Sequence, residues 1–280
     1  MKRSSPSIQE VSFQCFIFLI LFILILSSAF ADQSTSQKSV SAFSLESTLQ
    51  TSSTLHELDD VNRQGETSLY LIPQYSVSEL IQLSALFGIN QEMTGEQKTS
   101  ITNLTFGLRE KGISLNPYFK YSLGGSALAP THSDSRNRES LLSSVKFSPR
   151  LIFSPQQIPQ LRVFYELGLS KNFHEFFTST TGGSNVSYSL TQRIVSQYSL
   201  TDQLSASVDF ARNSGWTYFD NIKTSFDLSE ELSFEFIQNL SLAIGHSNGG
   251  GLLSSNGVDS NFAVFNENTS TVYTSITALF

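Results

Sequence analysis

Cysteine is all but missing from this chain: its 280 residues hold one, Cys15, close to the N-terminus. Disulfides, thiolate metal sites and thiol catalysis all need cysteine in the working domain, and Cys15 lies in a segment expected to be removed. Charge is sparse as well. Asp, Glu, Lys and Arg make up 15% of the residues, the net charge is -7, and Lys and Arg form no cluster. A nucleic-acid partner needs a concentrated basic face, so that class is excluded. Only one apolar run is long enough to suggest a membrane-crossing helix, and it stands at the very start, which excludes a helical multi-span protein. What is present is 39% hydrophobic residues, including 23 Phe, set among many Ser, Thr, Gln and Asn.

The N-terminus reads as an export signal. Lys2 and Arg3 precede an apolar stretch from Phe16 to Leu26, followed by Ser27, Ser28 and the small-residue site Ala29-Phe30-Ala31. Charged, apolar and small regions in that order are a secretory signal peptide, and the stretch falls short of the ~20 apolar residues of an anchor helix. Cleavage is expected to remove residues 1–31, Cys15 with them, and to leave 32–280 as one domain without cysteine.

Along that domain the dominant period is two. Ile113, Leu115, Pro117, Phe119, Tyr121 and Leu123 alternate with Ser114, Asn116, Lys120 and Ser122. The pattern recurs from Leu141 to Phe153 and from Leu161 to Leu169, with Lys146, Arg150, Arg162 and Glu166 on the polar side. Spacing of this kind is that of strands with one apolar and one polar face. Further runs span Phe43 to Leu49, Leu69 to Tyr75, Ile81 to Ile89, Leu104 to Leu108, Tyr188 to Tyr198, Leu204 to Phe210, Ile222 to Phe236, Leu240 to Ile244 and Val272 to Phe280. Together they predict about twelve strands.

The connections alternate in length. Short turns are predicted at Val77 to Leu80, Glu110 to Gly112, Thr201 to Gln203 and Ile237 to Asn239, with a somewhat longer one at Ser154 to Gln160. Longer polar segments are predicted at Thr51 to Gly65, Gln91 to Gln97, Gly124 to Arg138, Asn172 to Asn185, Arg212 to Asp220 and His246 to Asn261. That rhythm fits an up-and-down barrel with turns at one rim and loops at the other. Tyr75, Tyr198 and Phe234 each stand six residues before the next strand's first apolar residue, which suits an aromatic girdle at the turn side. A soluble β-sandwich also alternates, but its strands average five or six residues, whereas Leu141 to Phe153 and Ile222 to Phe236 are long enough for a tilted membrane crossing of ~9–11.

The export signal, the hairpin rhythm and the last strand, Val272 to Phe280, together resemble a Gram-negative outer-membrane β-barrel protein. The resemblance implies an all-β, antiparallel, up-and-down transmembrane barrel in the bacterial outer membrane. It further implies that Ile276, Ala278 and the terminal Phe280 form the signal read by the barrel-assembly machinery, with periplasmic chaperones on the route. Lipid and lipopolysaccharide of the outer membrane would surround the barrel. The resemblance specifies class and location, not activity or oligomeric state.

By parity, Glu46, Lys120, Lys146, Arg150, Arg162, Glu166, Arg193, Asp209, Lys223, Asp227, Glu231 and Glu235 are expected to face the lumen. Basic residues dominate the middle strands and acidic ones the later strands, an arrangement suited to a passive pore for small polar or ionic solutes. The alternatives are a structural or surface-interaction barrel whose charges seal the lumen, and a lipid acyl hydrolase. The hydrolase reading comes from Gly245-His246-Ser247-Asn248-Gly249, which resembles the His-x-Ser-Asn-Gly segment of outer-membrane phospholipase A and a segment of lipid A deacylases. Here His246 and Ser247 are adjacent, so a strand sends them to opposite faces unless a bulge intervenes. His56, His132, His174 and His246 all map to predicted loops or their rims without a metal-ligand spacing, and neither metal nor cofactor is expected. The Gly-Gly pairs at Gly124, Gly182 and Gly249 are read as loop flexibility.

Overall fold

A computed structural model of the chain describes residues 43–56, 63–94, 97–253 and 259–280. The predicted signal peptide, with Cys15, lies outside them. These described residues form one compact unit.

The unit is a closed antiparallel barrel of twelve crossings. The first three are β1 (Phe43–Thr54), β2 (Gly65–Ser76) and β3 (Ile81–Glu92). Kinks break the next three. The fourth comprises β4 (Thr99–Ile101), β5 (Leu104–Glu110) and the short β6 (Ile113–Ser114); the fifth, β7 (Phe119–Ser122) and β8 (Gly124–Ala129); the sixth, β9 (Leu141–Phe147) and β10 (Arg150–Phe153). A one-turn π-helix, Asp134–Arg138, sits in the connection between β8 and β9. Six unbroken strands complete the wall: β11 (Leu161–His174), β12 (Val186–Ser199), β13 (Leu204–Thr217), β14 (Ile222–Ile237), β15 (Leu240–Gly251) and β16 (Thr271–Leu279). Each pairs with its neighbour in sequence, and β16 closes on β1 in a register that sets Leu49 opposite Ile276. The Phe280 and Leu45 backbones exchange hydrogen bonds of 2.9 and 3.0 Å, so the wall is sealed down to the last residue. Closure leaves no edge to pair with another chain.

The apolar face of this wall points outward. Leu49, Leu69, Ile89, Phe106, Leu169, Ile194, Val208, Leu232, Ile244 and Ile276 are exposed, while among the described residues the buried hydrophobic ones are Ile81, Ile152, Val195, Phe226, Leu228 and Ala243. A soluble sandwich would bury the first set between two sheets; here they have no cover but the surrounding medium, which identifies that medium as hydrocarbon. Tyr75, Tyr198 and Phe234 are likewise exposed, near the rim of short turns, as the girdle spacing predicts. Ile276 and Phe280 are exposed on the outward side of β16 and just beyond it.

Three local predictions are corrected. The regular alternation from Ile113 to Leu123 is not one crossing: β6 and β7 form a hairpin, with Ser114 opposite Lys120. The reversal falls at Asn116-Pro117, where the Asn116 Oδ1 accepts from the Tyr118 and Phe119 amides at 2.9 Å each and Pro117 offers no donor to a ladder. The fifth crossing therefore continues through β8, in which Gly124 and Gly125 are strand residues rather than loop. Second, the expected long loop from Arg212 to Asp220 is strand up to Thr217, leaving a four-residue turn held by the Thr217 amide on the Asn221 carbonyl. Third, β15 runs on through Gly251, so His246 and Gly249 lie in the wall. Cross-strand pairing carries β13 and β15 past the end of their apolar alternation.

Candidate functional site in the barrel lumen

The polar face of the wall lines the lumen, and its charge is divided between two halves. Arg109 on β5, Lys120 on β7, Lys146 on β9, Arg150 on β10, Arg162 on β11 and Arg193 on β12 occupy successive crossings on one side. Asp209 on β13, Asp227, Glu231 and Glu235 on β14, Glu46 on β1 and Glu66 on β2 occupy the other. Lys223, at the loop rim of β14, and Glu166, on β11, are the exceptions. The Lys223 ammonium donates to the Ser184 carbonyl in the loop between β11 and β12, so it anchors that loop. Glu235 accepts from the Asn239 amide and caps the turn between β14 and β15.

Glu166 organises the basic half. Its side chain is 6% exposed, and its carboxylate accepts from Arg109 at 3.0 Å, from Arg150 at 2.7 and 3.1 Å, and from Lys146 at 3.4 Å. Arg193 stands directly opposite Glu166 in the β11–β12 register and forms an ion pair with Asp209 at the seam between the halves. Four cations thus surround one carboxylate, a net excess of positive charge along this wall.

The long side chains lie along the wall rather than across the lumen, and small residues make room for them. Arg109 reaches Glu166 over Gly124 and Ser148, bonding the Ser148 hydroxyl at 3.0 Å on the way. A Cβ on Gly124 would stand 2.8 Å from the Arg109 guanidinium. On the acidic side Glu231, Gly245 and Tyr273 form one row across β14, β15 and β16. There the Tyr273 ring covers Gly245, and its hydroxyl donates to Glu231 at 3.1 Å. Glycine at these two positions makes room for the close approach of a neighbouring side chain and does not serve turn geometry. Arg150 also packs over the Phe164 ring at 4.7 Å.

Of the residues expected in the lumen, all twelve sit on the polar face, and Lys120 and Arg162 are exposed there. Arg109 lies outside the predicted run Leu104 to Leu108 and inside β5. The alternation of Leu104, Phe106 and Leu108 already placed the next residue inward.

The His246 and Ser247 side chains diverge, as strand parity requires. Ser247 faces inward and bonds the Thr271 hydroxyl at 2.7 Å; the His246 Nδ1 pairs outward with Glu230 at 2.8 Å while Phe265 stacks on its ring with centroids 4.4 Å apart. No bulge brings the two together, since β14 and β15 stay in register from Glu230–His246 to Ser225–Gly251. His174 bonds Tyr218, and among the described residues no group of His, Cys, Asp and Glu could hold a metal ion.

No family model and no curated protein matches the chain in sequence. Solved structures do match its shape. The COG4313 outer membrane channel from Pseudomonas putida F1 aligns with a TM-score of 0.58 at 13% identity, over 89% of this chain and all of that one. The NanC porin aligns at 0.57 and 10% identity, over 84% of this chain and 99% of that one. The KdgM porin aligns at 0.50 and 10%, over 85% and 99%. The chain has the fold of porin-type outer-membrane barrels.

Proposed function

We propose that the protein is a passive outer-membrane channel for small polar or ionic solutes, working by diffusion through a lumen with one basic and one acidic wall. The observation that carries this reading is the flat lay of the lumen side chains. A barrel built to be sealed would send Arg and Glu across the lumen to meet, whereas Arg109, Lys146 and Arg150 satisfy Glu166 along their own wall and Tyr273 satisfies Glu231 along the other. Charges facing each other across an aqueous gap set up a transverse field that orients dipolar solutes. Proteins of this fold named as a channel and as porins support the reading.

Reconstitution in planar bilayers tests it. Single-channel steps are expected from the wild type. The double variant Lys120→Glu/Arg162→Glu removes two lumen cations that hold no ion pair among the described residues, and is expected to move the reversal potential in a salt gradient towards cation selectivity with the barrel assembled. Silent bilayers at all voltages from correctly folded protein would favour a sealed structural barrel.

A further inference from the structure

The outward face of β13 and β14 carries a feature that transport does not use. Phe226 is 2% exposed although its parity turns it towards the membrane, because the connection between β15 and β16 folds down over the outside of the wall. Phe262 of that connection packs against Phe226 and Phe210 with ring centroids 5.0 and 5.9 Å apart, and the buried Asn248 fastens the same segment by donating to the Ala263 carbonyl at 2.6 Å and accepting from the Thr269 hydroxyl at 2.6 Å. Between this cover and β13 a groove remains, lined by Phe210, Arg212, Thr224, Leu252, Leu253 and Phe262.

Arg212 is the odd member. It is exposed, faces out of the barrel opposite Gln192 and Phe226, and has no carboxylate partner among the described residues. On the same face Glu230 pairs with the His246 Nδ1, and Lys171 is held by the Ser187 hydroxyl and the Tyr188 ring. A lone guanidinium on a membrane face is costly unless it meets a headgroup, and its fork matches two phosphate oxygens. It stands at the end of the apolar series Val208 and Phe210, on the side of the long connections, which is the outer leaflet if the barrel is oriented as outer-membrane barrels are. Apart from the Thr224 and Ser260 hydroxyls the rest of the groove is apolar and suits an acyl chain.

We infer that this groove is a binding site for lipid A, with a lipid A phosphate on Arg212 beside the Thr224 hydroxyl and one acyl chain against Phe210, Leu252, Leu253 and Phe262. The site rests on the outer-membrane reading but not on the lumen being open. The occupant is lipid A rather than a glycerophospholipid because the outer leaflet of that membrane is built from lipopolysaccharide.

The test is native mass spectrometry of the full-length barrel in detergent, titrated separately with bisphosphorylated lipid A, dephosphorylated lipid A and phosphatidylglycerol. One lipid A should be retained per barrel. Dephosphorylation or Arg212→Glu should each weaken retention about tenfold, and Phe262→Ala should weaken it with the charge intact. Heat-shifted migration on gels checks assembly, and Arg212→Gln replaces the Glu variant should that one not assemble. Wild-type retention by the Arg212 variant, or equal retention of phosphatidylglycerol, would overturn the site. Since Arg212 faces away from the lumen, its variants should conduct as the wild type does. A silent wild type that still holds lipid A through Arg212 would remove the channel reading and leave this one standing.

Discussion

Replacing Glu166 with Gln is the sharpest single perturbation of the lumen. The substitution keeps the shape and removes one negative charge from among Arg109, Lys146, Arg150 and Arg193. Breaking a buried pair by removing one partner costs about 3–5 kcal/mol when the remaining charge is buried. Here the cations' side chains are 30%, 35% and 25% exposed for Arg109, Lys146 and Arg150, so lumen water re-solvates them in part. Discounting for that screening leaves an expected loss of about 1–3 kcal/mol. The same change alters permeation. At roughly 7 Å in water a unit charge contributes about 0.6 kcal/mol, so an anion passing the cluster should gain close to threefold in local population. Trp216 is the only tryptophan in the chain, which makes its fluorescence a clean probe of denaturant unfolding in detergent micelles. The reversal potential in a salt gradient reads the second effect, with a shift towards anions. Glu46→Gln on β1, outside the cluster, serves as control. A midpoint for Glu166→Gln within about 0.5 kcal/mol of the wild type would refute the claim that one carboxylate organises the basic wall.

Other consequences follow from the same geometry. Gly245→Ala should assemble, because the atoms it displaces are the far end of the Tyr273 side chain, but it should push that ring into the lumen and lower single-channel conductance; adding Tyr273→Ala should restore it. Asn116→Ala removes the acceptor of two turn amides and should lower stability by about 1 kcal/mol, read as a shifted unfolding midpoint with conductance unchanged. The closed barrel should resist detergent, so unboiled protein should migrate differently from boiled protein on gels; full solubility with native β-structure in detergent-free buffer would contradict the outward apolar face.

The barrel was legible in the sequence because its wall separates two solvents. Every strand must set one face to lipid and the other to water, and that demand is met residue by residue without reference to which strand lies alongside. Hence the period of two, the strand number, the inward set from Glu46 to Glu235 and the divergence of His246 from Ser247 could be read from the chain alone. Strand ends were less legible. The alternation from Ile113 to Leu123 continues through a turn because Leu115 and Pro117 keep the pattern while Asn116 bends the backbone. Beyond Phe210 and Ile244 the pattern fades while pairing with β14 goes on.

Tertiary structure alone decided which small residue lies beneath which long one. Gly124 looks like a flexible loop residue until Arg109 is seen to cross it, and Gly245 until Tyr273 lies on it, since only the register of neighbouring strands brings those positions together. The same holds for Phe226 and Arg212, which share an outward parity but not a fate. Phe226 is covered because a distant connection folds back over it, and Arg212 is left bare at the edge of that cover. Parity assigns a side chain to lipid or water one strand at a time; what touches it within that solvent depends on residues tens of positions away.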